Sequence, residues 1–435
     1  MSDFAITALL IALLFLLLGS GVWIGLSLVG VAWIGMQAFT TRPVGDAMAV
    51  TIWGSASSWT LTALPLFLWM GEILFRTKLS EDMFRGLAPW MERLPGRLLH
   101  TNIIGCTIFA AVSGSSAATA ATIGKMTLPE LAKRGYPDNI VIGTLAGAGT
   151  LGLLIPPSII MIVYGVSAEV SIAKLFIAGV LPGLLLAGLF MGYVIVWALL
   201  NPEKVPPADR RMTLLEKLSE SRSLIPVVLL IMAVLGSIYA GIATATEAAA
   251  VGVVGALVLS AIQGSLTWAT FRDSLLGATR LYCMIALILA GAAFLTLSMG
   301  YIGLPRHLAE WIGSLGLSQF GLLVALAGFF ILLGCFLDGI SMVVLTMGVL
   351  LPTVQSAGID LIWFGIFIVF VVEMAQITPP VGFNLFVLQG MTGRQLPYLS
   401  RVALPMFFLM IAAVGLIWVF PEIVTWLPEQ MSGKS

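Results

Sequence analysis

Two pairs of adjacent prolines carry the clearest chemical signal in this sequence. Pro156-Pro157 and Pro379-Pro380 each interrupt a long apolar run. Adjacent prolines remove two backbone donors and clash with the preceding helical turn, so the carbonyl oxygens of that turn should lose their helical partners. Inside a membrane, where no water satisfies them, such carbonyls need another ligand. The prolines therefore predict two broken helices whose free carbonyl oxygens can coordinate a ligand.

Polar residues interrupt two further apolar segments, at 98–134 and 319–357. The first contains Ser113–Ser116 and the second contains Leu337–Gly339 near its middle. Each limb on either side of these residues is short for a hydrocarbon layer roughly 30 Å thick. We therefore predict two re-entrant hairpins with polar tips near mid-membrane, where non-helical backbone is tolerated only inside protein or beside water. Two ordinary short spans joined by a tight turn are the alternative.

The hairpin tips supply side-chain oxygens of two kinds. The first tip offers the hydroxyls of Ser113, Ser115 and Ser116, and the second offers the carboxylate of Asp338. A carboxylate near mid-membrane is expensive and normally marks an ion or substrate path. If each broken helix faces its own hairpin tip, oxygen donors converge at two places and suit a hard monovalent cation, Na⁺ above all. A proline kink that only shapes packing is the alternative; the repetition of the motif favours two cation sites.

The composition sets the environment in which these elements must lie. The chain has 435 residues, of which 59% are apolar and only 10% are charged, against about 25% charged in soluble proteins. It is therefore a polytopic membrane protein. The net charge is zero, which leaves no basic surface for nucleic acid, and three widely spaced cysteines form neither a disulfide framework nor a metal motif. The sequence has no nucleotide-binding loop and no reactive constellation, so we expect neither an ATPase nor any other enzyme.

Apolar runs predict ten membrane-spanning helices in addition to the hairpins. They are 4–18, 22–39, 60–75, 139–165, 175–199, 223–240, 246–263, 280–299, 361–390 and 403–420. With both hairpins re-entrant, 17 of the 21 Lys and Arg residues fall on one side of the membrane. The positive-inside rule makes that side the cytoplasm. We therefore expect both termini on the opposite side and the segment 201–222 as the largest cytoplasmic loop.

An internal repeat with an offset of 223 residues is the strongest organisational signal. The offset carries four prolines of the first half onto four of the second: Pro129, Pro156, Pro157 and Pro182 onto Pro352, Pro379, Pro380 and Pro405. We therefore divide the chain into a first repeat at 1–200, a linker at 201–222 and a second repeat at 223–435. Each repeat holds five spans and one hairpin, and because five is odd the repeats must be inverted, as in many secondary transporters. Amphipathic in-plane helices are predicted at Ser80–Leu94 and Pro305–Leu315.

Several motifs together resemble one transporter family. They are Ser113–Thr119, Gly152–Ser158, Thr246–Gly252, Asp360–Gly365 and Ile377–Asn384. Over nearly its whole length the chain is similar to the large membrane subunit of tripartite ATP-independent periplasmic (TRAP) transporters. The resemblance implies a multi-pass protein of the bacterial inner membrane, with periplasmic termini, that imports carboxylate-bearing solutes with Na⁺ by an elevator mechanism. It also implies two partners, a small four-helix membrane subunit and a periplasmic solute-binding protein. Because the chain begins almost directly with its first span, we expect the small subunit to be a separate polypeptide.

The resemblance also implies ligands for two Na⁺ sites. At the first hairpin they are Ser113, Gly152, Ile155 and Pro157, to which the tip adds Ser115. At the second hairpin they are Gly334, Asp338, Ala375 and Thr378. Ala375 stands where the first half has Gly152, which matters little if the ligand is a backbone carbonyl. We expect substrate to bind between the hairpin tips, near the polar residues Ser116, Thr119, Ser158 and Asn384.

The sequence thus predicts an all-α, inverted-repeat secondary transporter in a lipid bilayer. The hairpins and broken helices form its mobile unit, and spans 1–3 and 6–8 form its scaffold. A passive channel whose hairpins line a filter is the alternative, and flux separates the two because a transporter saturates and needs a Na⁺ gradient. No arginine stands in a span where it could clamp a carboxylate. The sequence therefore does not indicate which acid is carried, and we expect the binding protein to select it.

Overall fold

The described residues form α-helices, most of which are joined by short turns. The computed structural model describes residues 3–77, 86–87, 89–207, 213–334, 337–379 and 382–432, and these contain no β-strand. The helices of the first half are α1 (Asp3–Gly19), α2 (Ile24–Phe39), α3 (Val44–Ala56), α4 (Ala63–Arg76), α5 (His100–Ser113), α6 (Ser116–Lys133), α7 (Asp138–Leu154), α8 (Ile159–Ser167) and α9 (Ile172–Leu200). The linker and second half contain α10 (Leu214–Ser221), α11 (Ile225–Tyr239), α12 (Ala245–Ile262), α13 (Trp268–Ile302), α14 (Leu304–Ser314), α15 (Gln319–Leu333), α16 (Gly339–Ser356), α17 (Leu361–Gln376), α18 (Phe383–Thr392), α19 (Leu396–Val419) and α20 (Glu422–Ser432). The predicted all-α class is confirmed.

Several of these helices have the length and composition of membrane spans. Within the described ranges, six helices are long and apolar enough to cross, and two bent pairs bring the number to eight if each pair is one span. The bent pairs are α3 with α4, at 52°, and α7 with α8, at 41°. The helices α1 and α2 are apolar but shorter, with 17 and 16 residues. The chain is therefore a multi-pass membrane protein.

Two predicted spans differ in extent from the observed helices. The helix α13 has 35 residues and begins at Trp268 rather than at 280, and its first turns carry the exposed ion pair Arg272–Asp273 at 3.0 Å. A hydropathy criterion marks only the part of a helix that lies in hydrocarbon, so a charged extension escapes it. The span expected at 60–75 is preceded by α3, and a 3₁₀ turn at Trp59–Thr62 makes the bend between them.

The predicted in-plane helices are described to different extents. Residues 80–85 and 88 of the segment Ser80–Leu94 lie outside the described residues, and residues 86–87 and 89–91 are helical. The second in-plane helix is α14, which packs against α16. Trp311 is 59% exposed on α14, as expected for a helix that places an aromatic face at a membrane interface.

The helices pack as two groups. The scaffold group contains α1–α4 and α11–α13, in which α13 lies against α2, α3 and α4, and α12 lies against α4 and α11. The hairpin group contains the first hairpin (α5–α6), the second hairpin (α15–α16), the broken helices (α7–α8 and α17–α18), α9 and α19. The two groups meet mainly where α4 contacts α5 and where α13 contacts α16, with smaller contacts of α4 with α8 and of α9 with α11.

The two halves of the chain exchange the second segments of their broken helices. The helix α8 packs against α16 of the second hairpin, and α18 packs against α6 of the first. Tyr164 of α8 donates a hydrogen bond of 2.7 Å to the carbonyl of Leu361. Gly365 permits this contact, because a Cβ there would lie 2.6 Å from the Tyr164 ring. The centre of the hairpin group is therefore built from both halves.

Candidate functional site

A tight turn forms the first hairpin tip. The helix α5 ends at Ser113, and Gly114 follows with φ of 61°, a left-handed conformation that favours glycine. Ser115 caps α6 by accepting a hydrogen bond of 3.4 Å from the backbone N–H of Ala118. A Cβ on Gly114 would lie 2.8 Å from the carbonyl oxygen of Pro157. The tip can therefore take this shape against the broken helix only with glycine at its centre.

The first broken helix lies directly against this tip, as predicted. The helix α7 ends at Leu154, a cis Pro156-Pro157 bond follows, and α8 begins at Ile159. The Ile159 N–H donates a hydrogen bond of 3.2 Å to the carbonyl of Gly114. On α7, a Cβ at Gly152 would lie 2.5 Å from the Ser115 carbonyl oxygen. Two backbone contacts thus fix the tip on either side of the proline break.

Three oxygen atoms cluster at this junction. The hydroxyl of Ser113 lies 2.7 Å from that of Thr119, and the Thr119 hydroxyl donates to the Ser115 carbonyl at 2.8 Å. Ser113 Oγ also lies 3.4 Å from the same carbonyl oxygen. Gly152 faces the cluster, because a Cβ at this position would lie 2.6 Å from Thr119 Oγ1. Neutral hydroxyl and carbonyl oxygens are the donors that hard cations take, so this set fits Na⁺.

Ile155 of the predicted first site and Ser158 of the predicted substrate set pack away from the oxygen cluster. Ile155 follows α7 in an extended conformation, and its side chain packs against Gly183 of α9. Ser158 is fully buried and caps α8 by accepting a hydrogen bond of 3.4 Å from the Met161 N–H. The hydroxyl of Ser158 is therefore engaged within its own helix.

The second hairpin tip is capped by its carboxylate. Asp338 Oδ2 accepts hydrogen bonds from the N–H groups of Ile340, at 3.1 Å, and Ser341, at 3.4 Å. Its Oδ1 accepts from the Ser341 hydroxyl. Asp338 is the N-cap of α16, a role that sequence analysis did not assign to it. Its charge is stabilised by these donors and by the N-terminus of the helix.

The second broken helix packs against this tip through Gly334. A Cβ on Gly334 would lie 2.4 Å from the Cβ of Ala375, so the hairpin and α17 are in direct contact. Beyond α17, Thr378 donates its hydroxyl to the Met374 carbonyl at 2.6 Å and its N–H to the Ala375 carbonyl at 3.2 Å. The carbonyls of Met374 and Ala375, which were predicted to lose their helical partners, therefore accept hydrogen bonds from Thr378 instead. Pro380 lies outside the described residues.

The predicted substrate residues fall into two places. Ser116 and Thr119 lie at the first tip, where Ser116 donates its hydroxyl to the Oε1 of Gln376. Asn384 is the second residue of α18, which packs against α6. Asn384 is fully buried, and among the described residues neither its amide oxygen nor its amide nitrogen has a hydrogen-bond partner. An unsatisfied buried amide of this kind can bind a polar ligand.

Two polar residues of α17 contact the first half of the chain, an arrangement that the sequence pattern does not predict. Gln376 joins the second broken helix to the first hairpin. Glu373 is fully buried and lies beside the backbone of Leu154 in the other half. Within the part of the chain that the structure describes, neither of its carboxylate oxygens meets the geometric criteria for a hydrogen bond. A carboxylate at this depth is costly. The only available signal was that the 223-residue offset places apolar Leu153 opposite Gln376.

A large cavity separates the two groups of helices. Its volume is about 950 Å³. The scaffold group contributes the hydroxyls of Ser55, Thr246 and Thr296, and the hairpin group contributes Ser167 and Glu169. These residues lie in or near segments predicted to face the periplasm, so the cavity offers polar groups to a solute between scaffold and hairpins.

Comparisons with known proteins agree with this architecture. The family model "Tripartite ATP-independent periplasmic transporter, DctM component" matches residues 10–423. The chain is 35% identical to a C4-dicarboxylate TRAP transporter large permease protein of Pseudomonas aeruginosa, over 88% of this chain and 87% of the relative. It is 32% identical to an isethionate TRAP transporter permease protein, DctMQ, of Oleidesulfovibrio alaskensis, over 94% of this chain and 64% of that longer relative. A solved structure of the YdaH transporter of Alcanivorax borkumensis superposes with a TM-score of 0.58 over 86% of each chain, and at 14% identity this likeness concerns the fold alone.

Proposed function

Since this chain belongs to the DctM component family of tripartite ATP-independent periplasmic transporters, we propose that it is a large permease that imports small organic acids together with Na⁺. The two relatives described above are named for a C4-dicarboxylate and for isethionate. Both names describe small organic anions. We therefore assign a small organic anion to this permease as substrate.

The observation that carries the Na⁺ assignment is the oxygen cluster at the first tip. Ser113, Ser115 and Thr119 present three oxygens within 3.4 Å of one another, and α7 approaches them closely because Gly152 has no side chain. A second ion at the second tip has as candidate ligands the Asp338 carboxylate and the carbonyls of Gly334 and Ala375. Such pairing of hairpin and broken helix is how many secondary transporters hold coupling ions.

We assign movement of the hairpin group against the scaffold group as the elevator step. The cavity of about 950 Å³ lies between the groups, and the helix pairs that join them most extensively are α4 with α5 and α13 with α16. A periplasmic binding protein delivers the acid, and a small four-helix membrane subunit braces the scaffold. The charge distribution supports a cytoplasmic linker at 201–222 and periplasmic termini.

The test is uptake in proteoliposomes that contain the permease, its small subunit and the loaded binding protein. We expect saturable uptake of a labelled C4-dicarboxylate that needs an inward Na⁺ gradient. Equal uptake with K⁺ in place of Na⁺ at fixed pH would contradict Na⁺ coupling. Flux that neither saturates nor responds to the gradient would instead establish the channel alternative.

A further inference from the structure

One side chain touches both hairpin tips. Gln376 is the last residue of α17 and is 7% exposed. Its Oε1 accepts a hydrogen bond from the hydroxyl of Ser116, the first residue of α6. Its Nε2 points to the other hairpin, because a Cβ on Gly339, the first residue of α16, would lie 3.1 Å from that nitrogen. Gln376 therefore spans the space between the two tips.

The repeat does not provide a second link of this kind. The offset of 223 residues places Leu153 at the position equivalent to Gln376. Leu153 is buried and apolar, so its side chain cannot hydrogen-bond to either tip. Because only the second half has a polar side chain at this position, we assign the role of Gln376 to the assembled site, where both hairpins meet, and not to its own repeat.

We propose that Gln376 is a positioning residue that couples the two hairpin tips, so that a cation bound at one tip orders the other. The proposal rests on the proposed function, since it takes each tip to hold a cation. It assigns to Gln376 no direct contact with the ion.

The position of Gln376 in the chain explains how the coupling passes. A shift of the first tip moves Ser116, which displaces the carboxamide that it holds. Gln376 adjoins the break of α17, one residue after Ala375 and two before Thr378, so the displacement reaches the groups proposed to hold the second ion. The buried setting strengthens this coupling, because a hydrogen bond away from water has few competing partners.

The experiment measures the reactivity of a cysteine at the first hairpin tip while the second tip is changed by substitution. In full-length protein with its small subunit in nanodiscs, the three native cysteines are replaced by alanine and Ala118→Cys is introduced as a partly exposed reporter on α6. The rate of its reaction with N-ethylmaleimide is measured against Na⁺ concentration. We expect Na⁺ to slow the reaction, and we call the Na⁺ concentration that gives half of the maximal slowing the half-protecting concentration. We expect Asp338→Asn to raise the half-protecting concentration by at least about threefold, as coupled sites do.

The same comparison is then made with Gln376→Leu, which matches the first-half residue in kind. We expect Asp338→Asn to change the half-protecting concentration by less than about twofold in that background, the range of independent sites. The control is Gln319→Leu. The Gln319 amide donates to the Ala357 carbonyl at 2.7 Å at the outer end of the second hairpin, so this background should keep the threefold effect.

Three results overturn the proposal in distinguishable ways. If Asp338→Asn acts equally with and without Gln376→Leu, or has no effect at the first tip in the parent protein, the coupling is absent while Na⁺ binding stands. If Na⁺ does not slow the reaction in the parent, the proposed Na⁺ site fails and the coupling fails with it. Should Gln376→Leu not fold, Ser116→Ala removes the other partner of the same hydrogen bond and carries the same expectation.

Discussion

Replacing Gly152 with alanine tests the geometry of the first cation site directly. A Cβ at this position would lie 2.5 Å from the Ser115 carbonyl oxygen and 2.6 Å from Thr119 Oγ1. Ordinary carbon-to-oxygen contacts are about 3.3–3.6 Å, so the hairpin tip must retreat by about 1 Å. The retreat separates the tip from α7, and the oxygen cluster no longer has the arrangement described above.

The size of the effect follows from the packing cost. Forcing one extra carbon into a well-packed interior typically costs about 1–3 kcal/mol. This cost disfavours the closed tip relative to the retracted tip, so the apparent Na⁺ affinity falls by the same free energy. At about 1.4 kcal/mol for each factor of ten, the Na⁺ concentration that half-saturates uptake should rise by about five- to 150-fold.

The assay is Na⁺-dependent uptake in proteoliposomes, with Gly188→Ala as the matched control. Gly188 lies inside α9, and a Cβ there meets nothing within 4 Å. Both substitutions bring the same gain of about 1 kcal/mol in helix propensity, so only the clash differs between them. If Gly152→Ala has a half-saturating Na⁺ concentration within twofold of that of Gly188→Ala, the tip does not form the ion site.

Two further predictions concern the second site and the orientation. Asp338→Asn should leave the unfolding midpoint nearly unchanged, since asparagine caps helices as well as aspartate does. It should raise the half-saturating Na⁺ concentration for uptake by about tenfold, or about 1.4 kcal/mol. Unchanged Na⁺ dependence would mean that Asp338 serves only as a helix cap. For orientation, Glu203→Cys should resist a membrane-impermeant thiol reagent in intact spheroplasts, because the linker is cytoplasmic, whereas Gln430→Cys on α20 should react. The opposite labelling pattern would invert the topology.

The breaks in the helices were predictable because local chemistry dictates them. Adjacent prolines end α7 wherever it packs, and the Ser113–Ser116 segment requires a turn whose glycine adopts a positive φ. The 223-residue offset also places α16 correctly, since Ser116–Lys133 and Gly339–Ser356 differ by that offset at both ends. These features belong to single elements, and a sequence pattern describes single elements well.

The partners of these elements were not predictable in the same way. Nothing in the pattern of α18 indicates that it packs against α6, and nothing in the pattern of α17 indicates that Gln376 contacts Ser116. Asp338 was interpreted from its charge and depth, whereas its cap bonds depend on where α16 begins. Such contacts are set by tertiary packing, and the hydrophobic periodicity of a helix does not indicate which other helices it packs against.

The exchange of helices between the halves has a consequence for biosynthesis. The helix α6 leaves the ribosome long before its packing partner α18, since residues 134–382 must be made between them. At about 5–20 residues per second, that synthesis takes roughly 12–50 s. For nearly all of this interval the hydroxyl of Ser116 lacks its hydrogen-bond acceptor, because Gln376 has not yet been synthesised. Assembly of the transport site is therefore a late event in translation, and a nascent chain arrested before α18 should expose the first hairpin to the insertion and quality-control machinery of the membrane.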